Sequence, residues 1–137
     1  MMGRRKPFDR KLYAENDRIA KDAVLKYLIN NECDAEINPD RFGVDIVTQS
    51  FNVEVERRPI WKGGVFPFNS IHIPNRKDKF FQKEIRYFVV NLDCSFALVC
   101  SSDIIKQSRL VEVSNKFLTK DEFFYNVPTA KFKLIKL

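Results

Sequence analysis

Residues 42–58 read Phe-Gly-Val-Asp-Ile-Val-Thr-Gln-Ser-Phe-Asn-Val-Glu-Val-Glu-Arg-Arg, and they restrict the fold more than any other stretch of the chain. Two β-branched runs, Val44 to Thr48 and Phe51 to Val55, flank a short polar break, which is the pattern of a strand hairpin. The stretch carries three acids, Asp45, Glu54 and Glu56. Side chains two apart on a strand share a face, so Glu54 and Glu56 are expected to point the same way. With Asp45 opposite or diagonal to them, three carboxylates converge. Like charges so placed repel one another. A divalent cation taking oxygen ligands relieves that conflict, and magnesium, which keeps several of its waters, needs only two or three acids. A solvent-facing strand that happens to alternate acids is the plainer alternative. Against it, Asp45 sits inside an apolar run, where Asp is a poor strand former. The acids also cluster in a chain with formal net charge +6 and a pI of about 9.3.

That basic balance favours a polyanionic partner. At 137 residues, with 45% hydrophobic and 31% charged, the chain suits one soluble domain with a real core. We expect a basic N-terminal tail over residues 1–8 and a single domain over 9–137. Three cysteines, Cys33, Cys94 and Cys100, have no paired spacing, which argues against a disulfide framework or a zinc knuckle and for a reducing, cytoplasmic setting. The basic start is followed by no hydrophobic stretch, so no secretory signal is expected. No run approaches the ~20 apolar residues of a membrane span.

Along the chain, Asp9 is a plausible N-cap for a helix to Asn30. Its stripe holds Leu12, Ile19, Ala20, Ala23, Val24, Tyr27 and Leu28 at helical spacing. Glu15 falls on or beside that stripe and needs a cation partner, either a metal or a nearby Arg or Lys. Asn30 and Asn31 end the helix, and Asn38, Pro39 and Asp40 turn the chain into the hairpin. Pro59 closes the second strand. Trp61, Phe66 and Phe68 lie in a loop with Lys62 and are either stacking groups or packing. Ser70 to Pro74 reads as a short strand that places His72 beside the acids if the two strands are neighbours. Arg76, Lys79 and Lys83, with Lys77 among them, form a basic ridge if that stretch is helical: a solvated face, or a phosphate clamp. The runs around Arg86 to Leu92 and Phe96 to Cys100 look like central strands buried on both faces. A short helix is expected over Ile104 to Lys106, a strand over Arg109 to Val113, and an aromatic run over Glu122 to Tyr125. Lys131 to Leu137 is expected to form a lysine-guarded edge strand or a phosphate-facing strip.

The pattern Gly43-Val44-Asp45-Ile46-Val47 followed by Val53-Glu54-Val55-Glu56, behind a helix bearing Glu15, resembles the PD-(D/E)XK nuclease superfamily. The resemblance spans roughly residues 9–81. It implies an α/β (α+β) fold with a restriction-endonuclease-like mixed β-sheet flanked by helices. It also implies Mg2+ (or Mn2+) held by Asp45, Glu54 and the backbone carbonyl of Val55, with Glu15 completing the shell directly or through water. The position usually held by Lys carries Glu56, as in a minority of restriction enzymes. Glu56 would then act as base or further ligand, and Arg57, Arg58 or Lys62 would supply the missing cation, with Arg58 the better placed.

Phosphodiester hydrolysis needs an activated water, a held phosphate and a stabilised leaving oxygen, and divalent ions on carboxylates serve all three. The expectation is therefore a metal-dependent DNA endonuclease that needs no small-molecule cofactor and no membrane. The resemblance extends to the structure-selective junction resolvases of that superfamily, and such enzymes usually work as homodimers. Lys62, Arg76, Lys77, Lys79 and Lys83 are the candidate DNA contacts. A nuclease-like module that grips nucleic acid or a protein without cutting stays open, as does RNA as the substrate.

Overall fold

The computed structural model describes residues 10–40, 42–113 and 122–137, with side chains from Arg18 onward. The basic tail, the Asp9 cap and the side chain of Glu15 therefore lie outside the described residues. The chain is mixed α+β. Helix α1 spans Arg10–Asn30. Its residues Ala20, Val24 and Leu28, four apart, are buried against Ile46, Val53, Val55, Phe88 and Val90 of a sheet. Glu32 stops the helix in a left-handed conformation (φ 63°). The Glu32 and Cys33 amides then donate to the Ile29 and Leu28 carbonyls at 3.1 and 2.9 Å, which is the Schellman pattern.

That sheet has six strands in the order β1 (Ala35–Ile37), β2 (Ile46–Thr48), β3 (Asn52–Arg57), β5 (Ile85–Val90), β6 (Phe96–Ser101), β9 (Lys133–Lys136). All neighbours run antiparallel except β3 and β5, which are parallel. The expected hairpin is thus present as β2 and β3. The two continuous apolar runs are the central strands β5 and β6. The C-terminal run is an edge strand whose Lys133 and Lys136 discourage further pairing. β1 has only three, mostly exposed residues and gave no sequence signal.

A parallel pair needs a crossover, and here it builds a second layer. Between β3 and β5 the chain forms β4 (Ser70–Pro74) and a 3₁₀ turn, Asn75–Phe80. β4 pairs with β8 (Glu122–Pro128), which pairs with β7 (Arg109–Val113), giving a three-stranded sheet. Trp61, Ile71, Ile73, Ile85, Val89, Ile105 and Val127 join the two sheets in one buried cluster. Each fully buried aliphatic side chain contributes about 1.5–3 kcal/mol. Helix α2 (Ser102–Gln107) inserts Ile105 into the same cluster.

Two expectations need correction. The second face of the main sheet is covered chiefly by another sheet, with only the short α2 and 3₁₀ turns beside it. His72 does not stand beside the acids either. β4 buries Ile71 and Ile73 between the layers, so His72 alternates outward, where it is exposed and lies 5.8 Å from the Phe124 ring. Among the described residues, no helix is long and apolar enough to cross a membrane.

Candidate active site

The site forms where β2 and β3 part. The Asp45 amide donates to the Val53 carbonyl at 3.1 Å, the last rung before the strands diverge. One rung on, the Val55 amide has the Asp45 carboxylate in place of a strand, with Oδ2 accepting at 2.8 Å. Alternate residues of a strand aim both backbone groups to the same edge. The Val55 carbonyl therefore opens on the edge that already holds the Asp45 carboxylate. The loop before Asp45 is wired by its own side chains. Asn38 Nδ2 donates to the Val44 carbonyl at 2.9 Å, and Asp40 Oδ1 accepts from the Phe42 amide at 3.0 Å. A Cβ at Gly43 would stand 2.6 Å from Asn38 Nδ2, so a larger residue here would displace the Asn38 side chain from the Val44 carbonyl.

Glu54 faces away from the α1 core, into the space between the layers, and is 3% exposed. The 3₁₀ turn lies over it, and Lys77 Nζ reaches Glu54 Oε2 at 3.1 Å. Burial first, and then the negative charge of Asp45, push the Glu54 carboxyl up to about 7 against the pull of Lys77. Asp45 has its own cation, Lys21 Nζ of α1, at 3.1 Å from Oδ1.

Glu56 shares the face of Glu54 but not its surroundings. Its Oε1 pairs with Arg58 Nε at 3.0 Å, and its Oε2 accepts from the Tyr87 hydroxyl at 3.0 Å. Arg58 Nη2 also donates to the His72 carbonyl at 3.0 Å, which ties the triad to β4. Burial and then Glu56 hold the Tyr87 phenol well above its usual range. The expected convergence of three carboxylates is therefore not met. Among the described residues, no group of three His, Cys, Asp or Glu side chains gathers to hold a metal. Arg57 turns away, its guanidinium donating to the Leu92 carbonyl.

A cleft of about 290 Å³ opens over the pair and is lined by Phe42, Gly43, Asp45, Glu54, Arg76, Lys77, Lys79 and Phe80. Three of the five expected nucleic-acid contacts are thus brought to the acids. Arg76 and Lys79 fall on one side of the turn because 3₁₀ geometry repeats every three residues. The Tyr125 hydroxyl anchors the turn by donating to Asp78 Oδ1 at 2.6 Å. Lys83 lies past the turn and donates to the Thr48 carbonyl at 3.3 Å, and Lys62 is exposed in the loop after Trp61; neither lines this cleft. Trp61 is fully buried and packs edge-on against Phe66 at 5.6 Å, so it belongs to the core.

Sequence reasoning missed Lys21 and Tyr87. Lys21 follows the buried Ala20, so it borders the packed stripe of α1, and that adjacency was the available signal. Tyr87 sits in an apolar run, and a buried Tyr normally finds a partner for its hydroxyl.

The donors at the strand edge are two carboxylates and a carbonyl. These are hard oxygens of the kind Mg2+ and Mn2+ take. The Glu54 carboxyl, whose charged form burial and Asp45 disfavour, is the group such a charge would relieve. The residues present therefore fit a divalent cation, with Lys21 and Lys77 as the charges it would displace. No family model matches this sequence, and no curated protein matches it.

Proposed function

We propose that the protein is a metal-dependent DNA endonuclease on a restriction-endonuclease-like fold. The observation that carries this reading is the Asp45–Glu54 carboxyl pair, which lines one cleft at a strand divergence together with Arg76, Lys77 and Lys79. Asp45, Glu54 and the Val55 carbonyl would hold Mg2+ or Mn2+, with Glu15 of α1 as a further ligand. When bound, the ion would supply Lewis acidity and a water activated near neutral pH. The chain's own residues do the rest. Arg76 and Lys79 hold the DNA phosphates. Lys77, released from Glu54, remains at hand as a cation for the scissile phosphate. Glu56 and Arg58, joined to Tyr87 and to β4, keep β3 in place beneath the pair. Two copies in a homodimer would bring one such site to each DNA strand.

One observation favours a second reading, a module that grips nucleic acid without cutting: both carboxyl groups already have an ammonium partner at 3.1 Å. Incubation with supercoiled plasmid, single-stranded DNA and a four-way junction, with and without Mg2+, separates the two. The nuclease reading expects cleavage only with metal, and loss of it in Asp45→Ala and Glu54→Ala. Retention of the DNA without a cut at any metal concentration supports the second reading. Cleavage by purified Asp45→Ala at the wild-type rate removes the first.

A further inference from the structure

Phe42 is 81% exposed. An aromatic ring so exposed contributes almost nothing to the core, yet the backbone beside it is hydrogen-bonded to Asp40. The Phe42 amide is bonded to Asp40 Oδ1, and the Gly43 amide donates to the Asp40 carbonyl at 3.1 Å. The ring lines the same cleft as the carboxyl pair. A second ring, Phe80, lines that cleft from the 3₁₀ turn, with Lys79 Nζ 5.0 Å and Lys77 Nζ 5.6 Å from its centroid. The carboxyl groups lie deep, Glu54 at 3% and the Asp45 side chain at 17% exposure. A phosphate reaching them must therefore pass between aromatic and cationic walls.

From this arrangement we infer that the cleft takes single-stranded or locally unpaired DNA, with an unpaired base stacked on Phe42 while its phosphate lies against Arg76, Lys77 and Lys79. The inference rests on the proposed function and narrows its substrate. In a closed duplex the faces of the bases are already stacked on one another, and Phe42 meets only the sugar–phosphate edge. In a single strand each base has a free face, and aromatic stacking there is strong and tolerant of sequence. Cations beside the ring neutralise the backbone, which makes such binding strongly salt-dependent.

The test is fluorescence anisotropy in EDTA, where no metal-dependent cleavage intervenes, with labelled oligothymidine and with the duplex it forms with oligoadenine. Wild type should bind the single strand more tightly than the duplex. Phe42→Ala should weaken single-strand binding by about tenfold and change duplex binding by less than about twofold, and Phe42→Trp should keep the preference. The side chain is exposed, so Phe42→Ala should fold like wild type, which circular dichroism checks. Equal affinity for both DNA forms, or an unchanged single-strand affinity in Phe42→Ala, overturns the inference. Metal-dependent duplex cleavage indifferent to Phe42 overturns the inference and leaves the nuclease reading standing. A Phe42-dependent single-strand preference without metal-dependent cleavage does the reverse.

Discussion

Glu54 and Glu56 are two residues apart on one strand, on one face of one sheet, and they live in opposite environments. Glu54 lies under a cleft, 3% exposed, with its carboxyl raised to about 7 by burial and by Asp45. Glu56 is held at both oxygens, by Arg58 and by the Tyr87 hydroxyl. What differs is the layer above. The 3₁₀ turn Asn75–Phe80 arches over Glu54 and sends down a single lysine. Over Glu56, Arg58 bridges to the β4 backbone and leaves the Glu56 side chain 32% exposed. The lesson is that equal residues on one face separate into a buried acid beneath a cleft and a hydrogen-bonded triad according to what the crossover lays on them.

The largest expected difference between the two regions is in activity. Asp45→Ala and Glu54→Ala should each lower metal-dependent DNA cleavage by at least about a hundredfold, because a lost ligand forfeits several kcal/mol of charge stabilisation. Glu56→Gln should leave most of it. Steady-state plasmid nicking measures both, and equal losses at Glu54 and Glu56 would break the comparison.

Next in size is the pH dependence of stability. In the metal-free protein burial and Asp45 push the folded Glu54 carboxyl up to about 7, against an ordinary value of 4.5. Between these values the native state binds the proton that the unfolded chain has released. Stability must then fall as pH rises from about 4.5 to about 7, by up to roughly 3 kcal/mol, and level off above. Urea denaturation in EDTA across that range should show the slope in wild type and lose it in Glu54→Gln. Glu56→Gln should keep it.

A smaller effect is expected from the triad itself. Glu56→Ala leaves Arg58 and the Tyr87 hydroxyl without their shared partner, at a cost of about 1–3 kcal/mol. Thermal unfolding should shift down by several degrees. Tyr87→Phe removes the donor and its partner bond together and should cost less. Smallest of all, Lys62→Ala, outside the cleft, should weaken DNA binding less than Lys79→Ala on its wall, as read by anisotropy at fixed salt. The reverse order would move the DNA path away from the cleft.

Much of this was legible in the sequence because it depends on local pattern. The β-branched runs declared the hairpin, the four-residue spacing of Ala20, Val24 and Leu28 declared α1, and the apolar runs declared β5 and β6. The closeness of Asp45 to Glu54 followed from hairpin register. The second layer was hidden because its pairings are long-range: Ile71 opposite Val127 and Tyr125 opposite Leu110 depend on no local signal. The separation of Glu54 from Glu56 was hidden for the same reason, since period-two reasoning assigns a face but not what covers it. The sequence presents Lys77 as part of a solvated face or a phosphate clamp and gives Lys21 only its place beside the packed stripe of α1. Long lysine stems reach whichever carboxylate the tertiary fold brings near, and no spacing rule announces that choice.

The central claim is that Asp45 and Glu54 together make a divalent-cation site, and a manganese soak with anomalous diffraction tests it most directly. The account predicts a manganese peak between the two carboxyl groups, within reach of the Val55 carbonyl, with Lys77 drawn off Glu54, and no such peak in Asp45→Ala. Empty density at millimolar manganese, with Lys21 and Lys77 still seated on Asp45 and Glu54, would contradict it.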